Sequence, residues 1–265
     1  MKILIIDGGY RKGNTWKITN LVKEQINSYS KDIQFEEVNL RDLNLPFCVG
    51  CSQCFRIGHT HCPHHAIVQS IMDKIEESDG IIVSAPTYNM QVPAMTKNWI
   101  DHMCYMLHRP RYFTKKGLVI STTGGVGVKK TTKYVAGTLI GWGFNRCYQM
   151  PISAISWNDY QPTEKDLRKS TAIAKKFYQD VASKKMHSPT FSSILCFNLF
   201  RGMSIGYRKG TEFEMKDGAF WQQDGYVDVT FAPQIPMPIH KKLFGCMFFV
   251  LAKRMSKKIS VTYKK

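Results

Sequence analysis

The sequence predicts an α/β fold built on a doubly wound parallel sheet. Five short apolar runs alternate with segments of helical spacing over about the first 180 residues, the alternation that specifies parallel strands joined by crossover helices. Glycine-rich loops follow the first and fourth runs directly, as expected where ligands bind at the carboxyl ends of such strands. A third run, Gly80-Ile81-Ile82-Val83-Ser84-Ala85, is almost wholly apolar and stops at Pro86, the pattern of a central strand covered on both faces.

Ile3-Leu4-Ile5-Ile6 is the first strand, too short for a signal segment. It runs into Gly8-Gly9-Tyr10-Arg11-Lys12-Gly13-Asn14-Thr15, which reads as a phosphate cradle. Glycines let the backbone approach an anion, and the next helix offers its first-turn amides and the positive end of its dipole. Arg11 adds a charged fork, Asn14 and Thr15 neutral donors. No Gly-Lys-Ser/Thr closes the loop and no G-x-G-x-x-G spacing is present, so a mononucleotide phosphate is the fitting anion.

Ile18, Leu21, Val22 and Ile26 share one face of the first helix, and Ile33 to Leu40 carries a second strand. Beyond the cysteine-rich stretch that follows, Ile67, Ile71 and Ile75 mark another helix. After the third strand, Pro93 opens a helix where its missing N–H costs nothing, with Met95, Trp99 and Met103 inward. The fourth strand, Leu118 to Ser121, leads into the loop Thr122-Thr123-Gly124-Gly125-Val126-Gly127. Val128, Val135 and Leu139 sit on the next helix, Gly141 and Gly143 end it, and Cys147 to Met150 supplies the fifth strand. Thr163 and Asp166 form a capping box for a last helix carried by Leu167, Ala174, Phe177 and Val181. Loops 8–15, 86–91 and 122–127 all follow strands and should meet on one edge of the sheet.

The formal charge of +17 admits nucleic acid, an anionic membrane surface or anionic small molecules as partners. Basic residues are scattered and no nucleic-acid module is present, which ranks nucleic acid last. The longest apolar stretch, Leu243 to Ala252, is about half of the ~20 residues that span a bilayer. With no secretory signal either, the expected location is the cytoplasm.

Four of the eight cysteines crowd into Cys48-x2-Cys51-x2-Cys54-x7-Cys62, which points to metal or redox chemistry rather than a disulfide framework. The compact triplet with a fourth thiol further on matches the ligand pattern of a [4Fe–4S] cluster. Zinc competes, because His59, His61, His64 and His65 lie close by and zinc accepts mixed sulfur and nitrogen ligands.

Four stretches together resemble the flavodoxin-like NAD(P)H-dependent FMN reductases, and within them the iron–sulfur flavoproteins: Gly9-Tyr10-Arg11-Lys12-Gly13-Asn14-Thr15, Cys48-Val49-Gly50-Cys51-Ser52-Gln53-Cys54, Pro86-Thr87-Tyr88-Asn89-Met90-Gln91-Val92-Pro93 and Thr123-Gly124-Gly125-Val126-Gly127. The resemblance implies a flavodoxin-like five-stranded sheet of order 2-1-3-4-5 and an oxidoreductase with FMN as cofactor and NAD(P)H as co-substrate. It implies that Gly9, Tyr10, Arg11, Gly13, Asn14 and Thr15 bind the FMN phosphate. Pro86, Thr87, Tyr88, Asn89 and Met90 are implied to line the ring and ribityl chain, with Thr123, Gly124, Gly125 and Gly127 on the ring's far side. Tyr88 either edges the ring or packs under Trp99. The family commonly has serine where this chain has Gly9, so one hydroxyl contact to phosphate is missing. Relatives also keep such cysteine runs without a cluster, as a substrate or subunit-contact loop, so cluster, bare loop and zinc all stand. A small-molecule electron acceptor and a homodimer or homotetramer complete what the resemblance implies.

Residues 1–185 form the expected FMN-binding domain and 186–265 an extension outside the alternation. The extension holds twelve Lys and Arg against five Asp and Glu, a large share of the charge excess. Its apolar stretches, Phe191 to Met203 and Leu243 to Ala252, flank an aromatic middle, and the second leads into Lys253-Arg254-Met255-Ser256-Lys257-Lys258. A short apolar segment with a basic flank can lie in a membrane interface, but packing on the sheet domain or a partner subunit is the favoured reading. The three prolines between Phe231 and Pro238 predict an extended connector.

Overall fold

In the computed structural model of the chain, residues 1–156, 159–223 and 225–257 are described. The elements in order are β1 (Lys2–Asp7), α1 (Asn14–Asn27), β2 (Gln34–Asn39), α2 (Gln53–Arg56), α3 (His65–Glu77), β3 (Gly80–Ser84), α4 (Ala94–His102), β4 (Lys116–Thr123), α5 (Val128–Gly141), β5 (Arg146–Ser153), α6 (Glu164–Ser183), α7 (Phe191–Met203), α8 (Lys216–Phe220) and α9 (Ile239–Ser256). All five strands pair in parallel in the order β2-β1-β3-β4-β5. The expected topology is therefore present, with its switch point between β1 and β3.

Side chains alternate across a strand, and here both faces are buried. Leu4, Ile6, Ile81, Val83 and Val119 face Ile71 and Ile75 of α3, Trp99 of α4 and Leu139 of α5. Ile3, Ile5, Ile82, Leu118 and Ile120 face Ile18, Val22 and Ile26 of α1 and Ala174 and Phe177 of α6. Trp99 is fully buried edge-on to Trp142, ring centroids 5.2 Å apart. Burial on both faces is why these strands read as unbroken apolar runs.

Two expectations are corrected. Thr122 and Thr123 belong to β4, not to the loop after it, because β5 runs on to Ser153 and offers Ile152 and Ser153 as ladder partners. The edge position of β5 lets the ladder continue past Pro151, whose missing N–H breaks no bond there. Leu167 is exposed rather than buried. The capping box turns Asp166 inward, where it also accepts a hydrogen bond from Tyr160 at 2.5 Å, and Leu167 is left on the rim of the buried face.

Beyond α6 the two apolar stretches of the extension form α7 and α9, which pack closely: a Cβ on Gly202 of α7 would lie 2.5 Å from the Cβ of Ala252. Phe197, Trp221 and Phe231 join Phe113 of the sheet domain in a separate aromatic core. Buried Asp217 ties the two parts together, pairing with Arg109 at 3.2 Å and with His108 at 2.7 Å. The connector through Pro238 is non-helical as expected, while Lys258 of the basic flank lies outside the described residues. Among the described residues no helix is long and apolar enough to cross a membrane.

The capping box is observed: Asp166 N–H donates to Thr163 Oγ1 at 3.3 Å and Thr163 N–H to Asp166 Oδ2 at 3.2 Å. Thr163→Ala should lower stability by about 1 kcal/mol, within a range of roughly 0.5–2. In urea unfolding the midpoint should fall with the slope unchanged, and an unmoved midpoint would show the cap to be idle.

Candidate functional site

A cleft of about 650 Å³ opens where β1, β3, β4 and β5 end, within the range of small-molecule sites. Its first wall is the turn from β1 into α1. Gly13 caps α1, no side chain caps the helix and no acidic residue occupies the first turn, so its amides and positive dipole end are available to an anion. Gly9, Arg11, Gly13, Asn14 and Thr15 all line the cleft. A Cβ on Gly9 would come within 3.2 Å of both Arg11 O and Asp7 Oδ1, so a serine there would need these neighbours to give by a few tenths of an ångström.

Asn14 is already engaged, donating to Ser156 O at 3.0 Å and accepting from Tyr160 N–H at 3.4 Å, and so holds the β5–α6 loop against the cradle. Thr15 Oγ1 lies 2.7 Å from Thr122 Oγ1 across the cleft floor. Tyr10 does not line the cleft: it is exposed, its carbonyl accepting from Arg41 at 2.8 Å.

Pro86, Thr87, Tyr88 and Asn89 form the second wall, and Thr123, Gly124 and Gly125 the third. Tyr88 and Gln91 exchange backbone hydrogen bonds of 2.8 and 3.0 Å, which drives Asn89 and Met90 to φ of 47° and 63°. Met90 then lies against Gly127, where a Cβ would sit 2.6 Å from Met90 Cα and φ is +93°. Met90 and Gly127 therefore fasten the second loop to the third outside the cleft rather than lining it. Tyr88 is half exposed at the cleft mouth, not packed under Trp99. Gly125 has open space where its side chain would be, so the backbone itself forms that wall.

Sequence reasoning placed Thr122 in a converging loop but not among the cofactor-binding residues, and it missed Asp7, Trp16 and the Ala154–Ser156 turn, which complete the lining. The last had a readable signal, since the loop after the fifth strand must reach the same edge as its neighbours. Asp7 is buried; desolvation raises its pKa to about 6, opposed by hydrogen bonds from Gly9 N–H and Ser84. Its Oδ2 has no partner among the described residues.

The cysteine segment lies along α4 and the extension. Asn98 of α4 accepts from Cys48 N–H and donates to the carbonyls of Leu45 and Pro46, each at 3.0 Å. Arg109, paired to Asp217, donates to Cys54 O at 2.5 Å. Cys48 and Cys51 are exposed, Cys54 and Cys62 half-buried, and all four are free thiols. Burial pushes the Cys62 thiol up, opposed by a hydrogen bond from His64 N–H and reinforced by the thiols of Cys54, Cys51 and Cys48. A hydrogen bond with Cys104 and the charge of Arg109 hold the Cys54 thiol below its ordinary range.

Of the four histidines named for zinc, His64 is the one that joins a thiol in a group of three possible metal donors among the described residues. Cys62, His64 and His102 bring one donor atom each to within 4.8 Å of one another. His59 is instead stacked on Tyr105, ring centroids 5.1 Å apart, with His65 against its edge, and His61 contacts Thr60. His102 was invisible as a partner because it lies 38 residues from His64 in the chain.

The family model for NADPH-dependent FMN reductases matches residues 1–151. This chain belongs to the NADPH-dependent FMN reductase family. It is therefore an oxidoreductase with FMN as its cofactor and NAD(P)H as co-substrate. An iron–sulfur flavoprotein of Clostridioides difficile is 28% identical over 198 residues, 74% of this chain and 86% of that protein. One from Archaeoglobus fulgidus is 25% identical over 232 residues, 86% of this chain and 100% of that one. These relatives place the chain in the iron–sulfur flavoprotein branch. An NAD(P)H:quinone oxidoreductase from Methanothermobacter marburgensis superposes with a TM-score of 0.54 at 16% identity, covering 66% of this chain and 98% of that one, a likeness of fold.

The cleft fits the reductase family's cofactor. Its cationic, amide-rich end suits a phosphate, and its other end offers neutral backbone walls to a planar ring.

The raised pKa of Asp7, about 6 against an ordinary 3.8, means that the folded state holds this proton more tightly than the unfolded chain. The stability it contributes is present below pH of about 4 and is lost as pH rises through about 6. Asparagine keeps an acceptor for Gly9 N–H and buries no charge. Asp7→Asn should be the more stable protein above pH of about 6, with the lead shrinking as pH falls toward 4. Urea midpoints of FMN-free protein across that range test this; a pH-independent gap would show that Asp7 does not titrate there.

Proposed function

We propose that FMN lies in the cleft with its phosphate at Gly9, Arg11, Gly13, Asn14 and Thr15. Pro86, Thr87, Tyr88 and Asn89 take one side of its ring and ribityl chain, and Thr123, Gly124 and Gly125 the other. The acceptor is a small molecule such as a quinone, a nitro compound or free flavin, reduced in a ping-pong cycle. Bound FMN supplies the hydride chemistry, taking hydride from NAD(P)H and giving it to the acceptor.

The observation that carries this reading is the convergence of four strand-end loops on one cleft that pairs an anion-binding end with neutral walls. No nucleophile–base pair is needed, because the protein's part in cofactor redox chemistry is to hold, orient and shield. Arg11 and the α1 amides neutralise the phosphate and anchor the cofactor's far end. Tyr10, Met90 and Gly127 act from outside by fixing the loops, and half-exposed Tyr88 stands at the mouth that a second reactant must use.

A second reading adds a [4Fe–4S] cluster held by Cys48, Cys51, Cys54 and Cys62, exchanging single electrons with the flavin and a protein partner. The Cys48-x2-Cys51-x2-Cys54-x7-Cys62 spacing supports it, as do the two relatives bearing the iron–sulfur name. The donor set suits a cubane, whose thiolate ligands stand further apart than those of a single ion. Helix α4, about 13 Å long at 1.5 Å per residue, links the second loop of the cleft to the cysteine segment. The division into 1–185 and 186–265 is retained with this function. The chain is also proposed to self-associate as a homodimer or homotetramer, supported by Ile239, Leu243 and Met247 exposed along α9.

Arg11→Ala should leave the fold intact and weaken FMN binding. A charged hydrogen bond contributes about 1.5–3 kcal/mol, so affinity should fall by about ten- to more than a hundredfold. Titration by quenching of flavin fluorescence measures it, and unchanged affinity would move the phosphate site elsewhere. Wild-type protein that stays colourless when mixed with FMN would overturn the whole reading.

For the cluster, anaerobically reconstituted wild type should contain iron and sulfide, and Cys62→Ser should lose them while FMN stays bound. Wild type without iron after reconstitution would rule the cluster out, and equal iron in both would remove Cys62 as a ligand.

A further inference from the structure

We propose that Cys62, His64 and His102 form a binding site for a single divalent zinc-type cation, available when the cysteine segment carries no cluster. Two parts of the chain supply the donors, the turn that leads into α3 and the end of α4. Cys62 ends the turn after the cysteine run, His64 immediately precedes α3, and His102 closes α4. Their sulfur and two ring nitrogens lie within 4.8 Å of one another. Around a tetrahedral zinc, with bonds of about 2.0–2.1 Å to nitrogen and 2.3 Å to sulfur, such donors stand roughly 3.3–3.6 Å apart. His64 Nδ1 and His102 Nε2, now 2.8 Å apart, need to part by only about 0.5 Å to admit the ion between them.

The orientation of His102 is already that of a ligand. Its Nδ1–H donates to Asn98 O, one turn back on α4, at 2.9 Å. That bond fixes the tautomer and leaves the Nε2 lone pair toward His64 and Cys62, as the outer hydrogen bond of a metal-binding imidazole does. Asn98 also holds the backbone from Leu45 to Cys48, so one residue of α4 positions both the cysteine run and His102. His102 is buried, whereas Cys62 and His64 are half-buried, which leaves a side open for a fourth ligand such as water.

The donor chemistry selects the ion. One sulfur and two imidazoles suit zinc, whereas calcium and magnesium require oxygen ligands. On binding, the Cys62 thiol proton passes to solvent. The site and the cluster claim the same sulfur, so the segment holds one or the other. The inference does not rest on the flavin reading.

The test uses the full chain purified with a chelator and freed of iron. Zn²⁺ is titrated against a chromophoric competitor, and Co²⁺ serves as a second probe whose absorption reports thiolate and tetrahedral ligation. Wild type should bind one equivalent. Cys62→Ser and His102→Ala should each weaken binding by at least about tenfold, as should His64→Ala, whose half-buried position spares the core. FMN binding and circular dichroism confirm that each variant is folded. Cys48→Ser should keep its zinc affinity while losing iron on reconstitution, so failure of the cluster reading is told apart from failure of this one.

No zinc taken up by folded wild type would overturn the proposal. So would binding that depends on Cys48 but not on His64 or His102, which would make the histidines a plain hydrogen-bonded pair between α3 and α4. Retention of zinc beside a fully assembled cluster would likewise refute the shared sulfur.

Discussion

Burial of β1, β3 and β4 on both faces governs everything else in this molecule. Ile3 and Ile5 go to one side of the sheet and Leu4 and Ile6 to the other, and neither set meets water. A parallel sheet so covered needs helices on both faces, and the chain can offer groups to a ligand only from the loops at the strand ends. The reversal of strand order between β1 and β3 opens the crevice that those loops then line. The cleft follows from packing before any polar residue is considered.

That logic explains what the sequence made legible. Short apolar runs, and one alternating stretch for β2, located the strands, and three of the four cleft loops came with them. The fourth, Ala154–Ser156, was implied by topology but not placed in the chain, because β5 continues through Pro151, a residue that normally ends a strand and is tolerated here at the sheet's edge. Tyr10, Met90 and Gly127 sit inside the right motifs but outside the cleft. A motif gives the loop, whereas the side that each residue presents depends on contacts such as Met90 with Gly127, made across 37 positions of chain. The pairing of His102 with His64 and Cys62 had no local signature at all.

The extension is joined to the sheet domain by more than apolar packing. Asp217 is buried, paired with Arg109 and hydrogen-bonded to His108 Nδ1, both from the segment after α4; Arg109 in turn holds Cys54 O. Losing one member of a buried charge pair costs about 3–5 kcal/mol, since the other is left uncompensated. The cysteine segment thus has two independent anchors, Asn98 on α4 and Arg109 with Asp217 behind it. A loop fixed at both sides keeps its thiols in place although two of the four are exposed.

The fastening of Met90 to Gly127 bears on how anything gets in or out. Two strand-end loops would ordinarily fluctuate separately, each on its own side of the cleft. Here the backbone of one rests where the side chain of the other is missing, so the two are hasped into a single jaw. A reactant that lifts the tyrosine-bearing turn must lift the glycine loop with it. The opening between the two loops is then one mechanical coordinate rather than two, shared by whatever enters the cleft.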